Sequence, residues 1–245
     1  MTEGIRFNLD FENHSDEEVE KYEQEVDMQR CTEAFRHCGI GKQYFNSNLQ
    51  DYSRKYEQQK NVIAQAREFF KKVLSGSQTN MIVVGDAGEG KTEFAAGLLK
   101  QFAFTKKKVM LNGHELESYF SVKYTTSFEL CTAFRKARGY NTKDYGEFSF
   151  YRDFTRTYDI MVIDEVGKGG EQNEWALLFD VLDKRMQESK WTVFISNLPY
   201  KELNSKLSEY AMSRLNADGN LIIIDTSGLP DFRQNPTLLD NSGII

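Results

Sequence analysis

The stretch Gly85-Asp86-Ala87-Gly88-Glu89-Gly90-Lys91-Thr92 fits the pattern G-x-x-x-x-G-K-[ST] in full. Glycines at these positions let backbone N–H groups close around phosphate oxygens, and a helix starting here turns its positive N-terminal end toward the same anion. Lys91 then reaches the β- and γ-phosphates, and the Thr92 hydroxyl is a ligand for Mg²⁺, so the stretch reads as a site for ATP with Mg²⁺. The alternative is a chance glycine turn. Against it, the stretch follows a short β-branched run, Met81–Val84, and opens a helical pattern, as phosphate binding requires.

Two carboxylates and an amide complete the candidate chemistry. Tyr158-Asp159-Ile160-Met161-Val162-Ile163 is an apolar run ending in Asp164 and Glu165. As the end of a parallel strand it delivers both acids to the sheet edge where ligands of open α/β folds bind. There Asp164 can hold the Mg²⁺ shell, while Glu165 can orient and deprotonate an attacking water, so hydrolysis is expected. A third run, Trp191–Ser196, ends in Asn197, whose amide can hydrogen-bond the γ-phosphate or the water without adding charge. Alone that asparagine would read as a turn residue.

These groups need a scaffold, and the pattern supplies one. Ser15-Asp16-Glu17-Glu18 is a capping box opening a helix to about Arg36, which Cys38-Gly39-Ile40-Gly41 ends. Residues 42–56 show no period and read as a linker; a second helix covers about 57–74. Strands are expected at Met81–Val84, Lys108–Leu111, Asp159–Ile163, Trp191–Ser196 and Leu221–Asp225, with helices over 92–105 and 171–189. Short apolar strands separated by helices imply an α/β fold with a parallel sheet covered on both faces. The expected division is an acidic helical segment over 1–45, a linker over 46–56 and a nucleotide domain over 57–245.

The chain has 245 residues, enough for one good-sized α/β domain with a small appendage. No apolar run approaches the ~18 residues that cross a bilayer, and no signal pattern opens the chain, so a cytoplasmic protein with no membrane partner is expected. In a phage-encoded protein that cytoplasm would be the infected host's. Three cysteines at unhelpful spacings fit a reducing compartment. His14, Cys31, His37 and Cys38 match no usual zinc spacing. The net charge of −6 conceals an uneven distribution: residues 1–33 carry −8 and the remainder +2.

The phosphate loop, the Asp164-Glu165 strand, the strand-terminal Asn197 and Ser213-Arg214-Leu215 together resemble the AAA+ ATPases. The closer match is their DnaC/IstB-type branch, which includes bacterial and phage replicative helicase loaders. Cys38-Gly39-Ile40-Gly41-Lys42, Ile163-Asp164-Glu165-Val166-Gly167, Leu182-Asp183-Lys184-Arg185, Ile195-Ser196-Asn197-Leu198 and Met212-Ser213-Arg214-Leu215 carry the resemblance. It implies a P-loop AAA+ fold: three α/β/α layers, a five-stranded parallel sheet and a small or missing lid, after a small helical N-terminal segment. It makes Asn197 the sensor 1 residue and Arg214 an arginine finger completing a neighbouring subunit's ATP site, hence a ring or spiral of subunits. Arg233 would be a sensor 2 equivalent.

The same resemblance suggests where partners bind. Loaders of this kind contact single-stranded DNA through an extra helix, and Ser127–Arg138 reads as that helix, with Phe134, Arg135, Lys136 and Arg138 at its end. Over residues 123–158 seven bases and ten aromatics face four acids, a mixture that suits phosphates and stacked bases. The plain alternative is that the rings are core and the bases solvated. A loader's N-terminal segment docks on the hexameric replicative DNA helicase, and Val19, Tyr22, Val26 and Phe35 could form a docking stripe here. Beside this ATP-dependent helicase loader in DNA replication stand an IstB-type transposition helper, an ATP-gated adaptor and a P-loop small-molecule kinase.

Overall fold

The computed structural model describes residues 15–52, 57–139, 143–169, 172–207, 209–216 and 219–232. In chain order the elements are α1 (Asp16–Arg36), α2 (Leu49–Tyr52), α3 (Glu57–Leu74), β1 (Met81–Val84), α4 (Lys91–Ala103), β2 (Lys106–Leu111) and β3 (His114–Tyr119). Next come β4 (Val122–Thr126), α5 (Ser127–Gly139), α6 (Lys143–Tyr151) with a π-helical turn over Arg152–Arg156, β5 (Ile160–Asp164) and α7 (Gln172–Gln187). The series ends with β6 (Trp191–Ser196), α8 (Tyr200–Lys206), α9 (Glu209–Leu215) and β7 (Ile222–Asp225).

Five strands form one parallel sheet in the order β4-β5-β6-β1-β7. Its central strand residues are apolar on both faces because helices cover both. Met81, Val83, Val122, Ile160, Val162 and Ile224 face α3, α4 and the end of α1, in a core with Phe69, Phe94 and Phe102. Ile82, Val84, Met161, Ile163 and Phe194 face the other way, onto Leu130 of α5, Leu178 and Val181 of α7 and Leu215 of α9. The period-2 alternation of β1 and β5 thus feeds two cores and makes the three-layer α/β/α sandwich.

Two expected elements change. Lys108–Leu111 lies in β2, outside the sheet: β2 pairs antiparallel with β3 in a separate hairpin. Its lysine-rich start and exposed Met110 and Leu111 could not be buried between helices. The sheet position falls to β4, Val-Lys-Tyr-Thr-Thr, whose polar residues are tolerated because it is an edge strand. The segment read as a linker is packed: Tyr52 of α2 is buried against Phe94, its ring 5.9 Å away, and donates to the Glu89 carbonyl of the phosphate loop.

The capping box of α1 forms, with the Ser15 side chain accepting from the Glu18 N–H and the Glu18 carboxylate accepting from the Ser15 N–H. Most of α1 is polar all round, and it is secured at its C-terminal end. Cys31, Phe35, Cys38 and Ile40 are buried, the last three in the core shared with Phe94 and Val122. Further up the helix, Asp27 accepts from the Tyr119 hydroxyl and pairs with Lys106, both on the hairpin. Among the described residues no helix is long and apolar enough to cross a membrane.

Candidate active site

The loop after β1 turns into α4 at Gly90, which adopts the left-handed conformation (φ 80°) that L side chains rarely take. No side chain caps α4 at Gly90, so its first N–H groups point at the cleft. That is the arrangement an anion needs. Lys91 is buried and folds back onto its own loop, its ammonium donating to the carbonyls of Gly85 (2.8 Å) and Asp86 (2.6 Å). Glu89 is buried as well. Its carboxylate accepts from the Thr226 hydroxyl and the Gly228 N–H, and the Phe232 N–H donates to Gly88, so the segment after β7 is laced to the phosphate loop.

The carboxyl ends of β4, β5 and β6 bring the remaining groups to the same cleft, about 420 Å³ in volume. Lys91, Thr92, Asp164, Glu165 and Asn197 all border it, with Gly41, Gln43, Tyr44, Tyr124 and Phe232. Asp164 is buried and receives three donors. Its Oδ1 accepts from the Glu165 N–H (2.6 Å), and its Oδ2 from the Thr92 hydroxyl (3.0 Å) and the Tyr124 hydroxyl (2.7 Å). Burial, then the Asp164 charge and hydrogen bond, push the Tyr124 pKa far up, so the phenol stays protonated and remains a donor.

Glu165 sits at φ 58°, an uncommon conformation for a residue with a side chain, and it is pinned there. The Ser127 hydroxyl donates to its carbonyl, while Lys168 holds its carboxylate at 2.6 Å. The hydroxyl of Thr92 and the carboxylate of Asp164 form an all-oxygen donor set, of the hard type that suits Mg²⁺. Among the described residues no group of three or more His, Cys, Asp or Glu could hold a metal; Cys31 and Cys38 are buried, and His14 lies outside those residues.

Against this geometry, a family model described as IstB-like ATP binding protein matches residues 11–219. The chain belongs to that family. This IstB-like ATPase is 23% identical over 207 residues to the replicative helicase loader DnaC of Escherichia coli strain K12, covering 84% of this chain and 76% of that protein. Its fold is similar to a crystal structure of the DnaC helicase loader (TM-score 0.55, 20% identity), covering 75% of this chain and 99% of that one. It is also similar to AMPPCP-bound DnaA from Aquifex aeolicus (TM-score 0.54, 18% identity), covering 76% of this chain and 51% of that one, about half its length. The protein is a P-loop ATPase of AAA+ fold.

The remaining expected site residues lie elsewhere. Arg214 on α9 does not line the chain's own cleft; it is half exposed, and its Nε pairs with Asp183 of α7 at 3.1 Å. Two positions on, Arg185 is fully buried, and all of its guanidinium nitrogens donate: to Thr192 Oγ1 and to the carbonyls of Phe154, Tyr158, Asp159 and Trp191. It ties α7 to the N-terminal ends of β5 and β6 and to the turn before β5. Arg233 and the chain beyond it, where a lid would fall, lie outside the described residues.

On α5, Arg135 and Lys136 are exposed, and Arg138 pairs with Glu147 and stacks on Phe134. Phe134 is only half exposed and packs against Phe150 and Tyr151; the freely exposed rings nearby are Phe128 and Phe148. Of the stripe on α1, Val19, Tyr22 and Val26 are half-buried, but Phe35 is 2% exposed and packs on Phe45. Phe35 therefore anchors α1 to the ATPase core and is corrected out of the docking stripe. Tyr124, Gln43 and Tyr44 carry no signal in the sequence, because none belongs to a spacing pattern that marks chemistry; Glu89 is part of the phosphate-loop pattern, but its ties to Thr226 and Gly228 are not legible there.

Proposed function

We propose that this ATPase is an ATP-dependent replicative helicase loader. The observation that carries the reading is the match to named helicase loaders over most of both chains, on a fold whose cleft gathers the hydrolytic groups. In this reading the phosphate loop and the N-terminus of α4 hold the phosphates, and Lys91 leaves its loop carbonyls to meet the β- and γ-phosphates. Thr92 and Asp164 would hold Mg²⁺, which would supply positive charge to the phosphates when bound. Glu165, released from Lys168, takes the proton of the attacking water, and Asn197 orients that water or the γ-phosphate.

Arg214, steadied by Asp183, serves a neighbouring subunit, so that ATP drives assembly into a ring or spiral. Single-stranded DNA meets α5 through Arg135, Lys136 and Arg138, with Phe128 and Phe148 better placed than Phe134 to stack on bases. The acidic segment, through Val19, Tyr22 and Val26, docks on the hexameric helicase. The DNA part is tested by ATP-analogue-dependent binding of a fluorescent oligonucleotide. Combined Arg135→Ala and Lys136→Ala should weaken it and flatten its salt dependence; unchanged binding would remove α5 from the DNA site.

The family's own name favours a second reading, an IstB-type helper that remodels duplex DNA beside a transposase. Preference for single-stranded over duplex DNA separates the two. A small-molecule kinase is the weaker alternative. Kinases of this fold place several arginines around the transferred phosphate, whereas among the described residues lining the cleft Lys91 is the sole cation.

A further inference from the structure

The Asp164 carboxylate has a partner that the phosphate loop and the β5 motif do not supply. Tyr124 stands on the edge strand β4, in register with Val162 of β5, one strand away from the carboxylate it reaches. Its ring borders the cleft, and its hydroxyl donates to Asp164 Oδ2 at 2.7 Å, beside the Thr92 hydroxyl at 3.0 Å on the same oxygen. The other oxygen is occupied by the Glu165 N–H. Two donors on one oxygen and one on the other leave the carboxylate little freedom to rotate.

The tyrosine is itself held in place. Its N–H donates to the Cys38 carbonyl at 2.8 Å, on the side of β4 that no strand covers. Gly39 passes so close to the Tyr124 carbonyl, at φ 107°, that a side chain there would collide with it. The segment ending α1 thus clamps the backbone from which the hydroxyl reaches Asp164. The half-buried ring would pack equally well as phenylalanine, so what the tyrosine adds is a hydroxyl with a charged acceptor.

We propose that Tyr124 is a positioning residue of the ATPase, its hydroxyl orienting the Asp164 carboxylate for Mg²⁺ beside the Thr92 hydroxyl. The inference rests on the reading of Thr92 and Asp164 as the metal site. The experiment is equilibrium binding of a fluorescent ATP analogue to the full chain, titrated with Mg²⁺ and repeated in EDTA, for wild type and Tyr124→Phe. Loss of a hydrogen bond to a charged group should raise the Mg²⁺ concentration at half-effect about tenfold. Affinity in EDTA and the thermal melt should stay at wild-type values, since the ring and its packing remain.

An unchanged Mg²⁺ midpoint in Tyr124→Phe, with wild type showing clear Mg²⁺ dependence, overturns the role of Tyr124 and leaves the metal site standing. Equal weakening in EDTA overturns it too, since the hydroxyl would then serve the cleft generally. Wild-type binding that is indifferent to Mg²⁺ overturns the metal reading and the inference with it.

Discussion

Glu165 and Asn197 face the cleft from adjoining strands, and Lys91 and Thr92 from the helix beneath, so each substitution isolates one part of the chemistry. Glu165→Gln keeps shape and removes the base. ATP turnover should fall by about 10²–10⁴ while analogue binding persists; equal loss of both would make Glu165 a structural residue. Lys91→Ala should behave oppositely and lose nucleotide binding itself, measured by the same analogue. Asp183 offers a subtler case: it lies outside the cleft, pairs with Arg214 and otherwise accepts from Gln187 of its own helix. Asp183→Ala should copy part of the turnover loss of Arg214→Ala, and the double variant should lose no more than Arg214→Ala alone. These residue-level chemistries were legible in the sequence because the phosphate loop and strand-terminal acids are local patterns. Tyr124 was not, since a single tyrosine gains its meaning only when β4 is laid beside β5.

At the scale of elements, legibility followed how local the determinants are. The ends of α3 and β6 could be read directly, since periodicity and punctuation coincide there. β4 was missed because an edge strand need not be apolar, although Thr126-Ser127-Phe128-Glu129 carries a capping box at the strand's end, with the Glu129 carboxylate on the Thr126 N–H. The hairpin was also announced: Asn112 and Gly113 take the two positive φ values of a type I′ turn, 52° and 82°. Its anchor is tertiary and invisible in sequence. Asp159, buried at the start of β5, accepts from Ser121 and pairs with Lys107 of β2 and Lys190 before β6. Burial pushes the Asp159 carboxyl up, but the Lys107 and Lys190 hydrogen bonds and the Ser121 N–H outweigh it and hold its pKa below the ordinary carboxylate value. A depressed native pKa adds stability above the unfolded value of about 3.9, and that contribution fades as pH falls through the native one. Asp159→Asn should therefore lower the melting temperature clearly at pH 7 and much less at pH 3. An equal loss at both pH values would show that the charge is irrelevant.

For the whole molecule, the charge division is the organising fact: −8 over residues 1–33 against +2 for the rest. A near-neutral ATPase with a local basic patch should bind single-stranded DNA modestly and in a salt-sensitive way, gaining affinity through assembly. If Arg214 acts on a neighbour, mixing Arg214→Ala with Glu165→Gln subunits should restore some turnover, because mixed neighbours rebuild a complete site. No recovery at any ratio would count against a trans role. The arm's attachment matters for testing it. Truncation to residue 40 would remove Phe35, Cys38 and Ile40 from the ATPase core and the Cys38 carbonyl from Tyr124, so substitutions on the part of α1 that lies outside that core are the sound probe. Combined Val19→Ala, Tyr22→Ala and Val26→Ala should leave nucleotide binding intact and weaken helicase association. The most direct measurement of the central claim is co-purification of the intact chain with a hexameric replicative helicase, with ATP present and absent. The expected result is a stoichiometric complex that depends on ATP and fails with the α1 triple substitution. No association with the helicase under either condition, beside tight ATP-dependent association with duplex DNA, would contradict it.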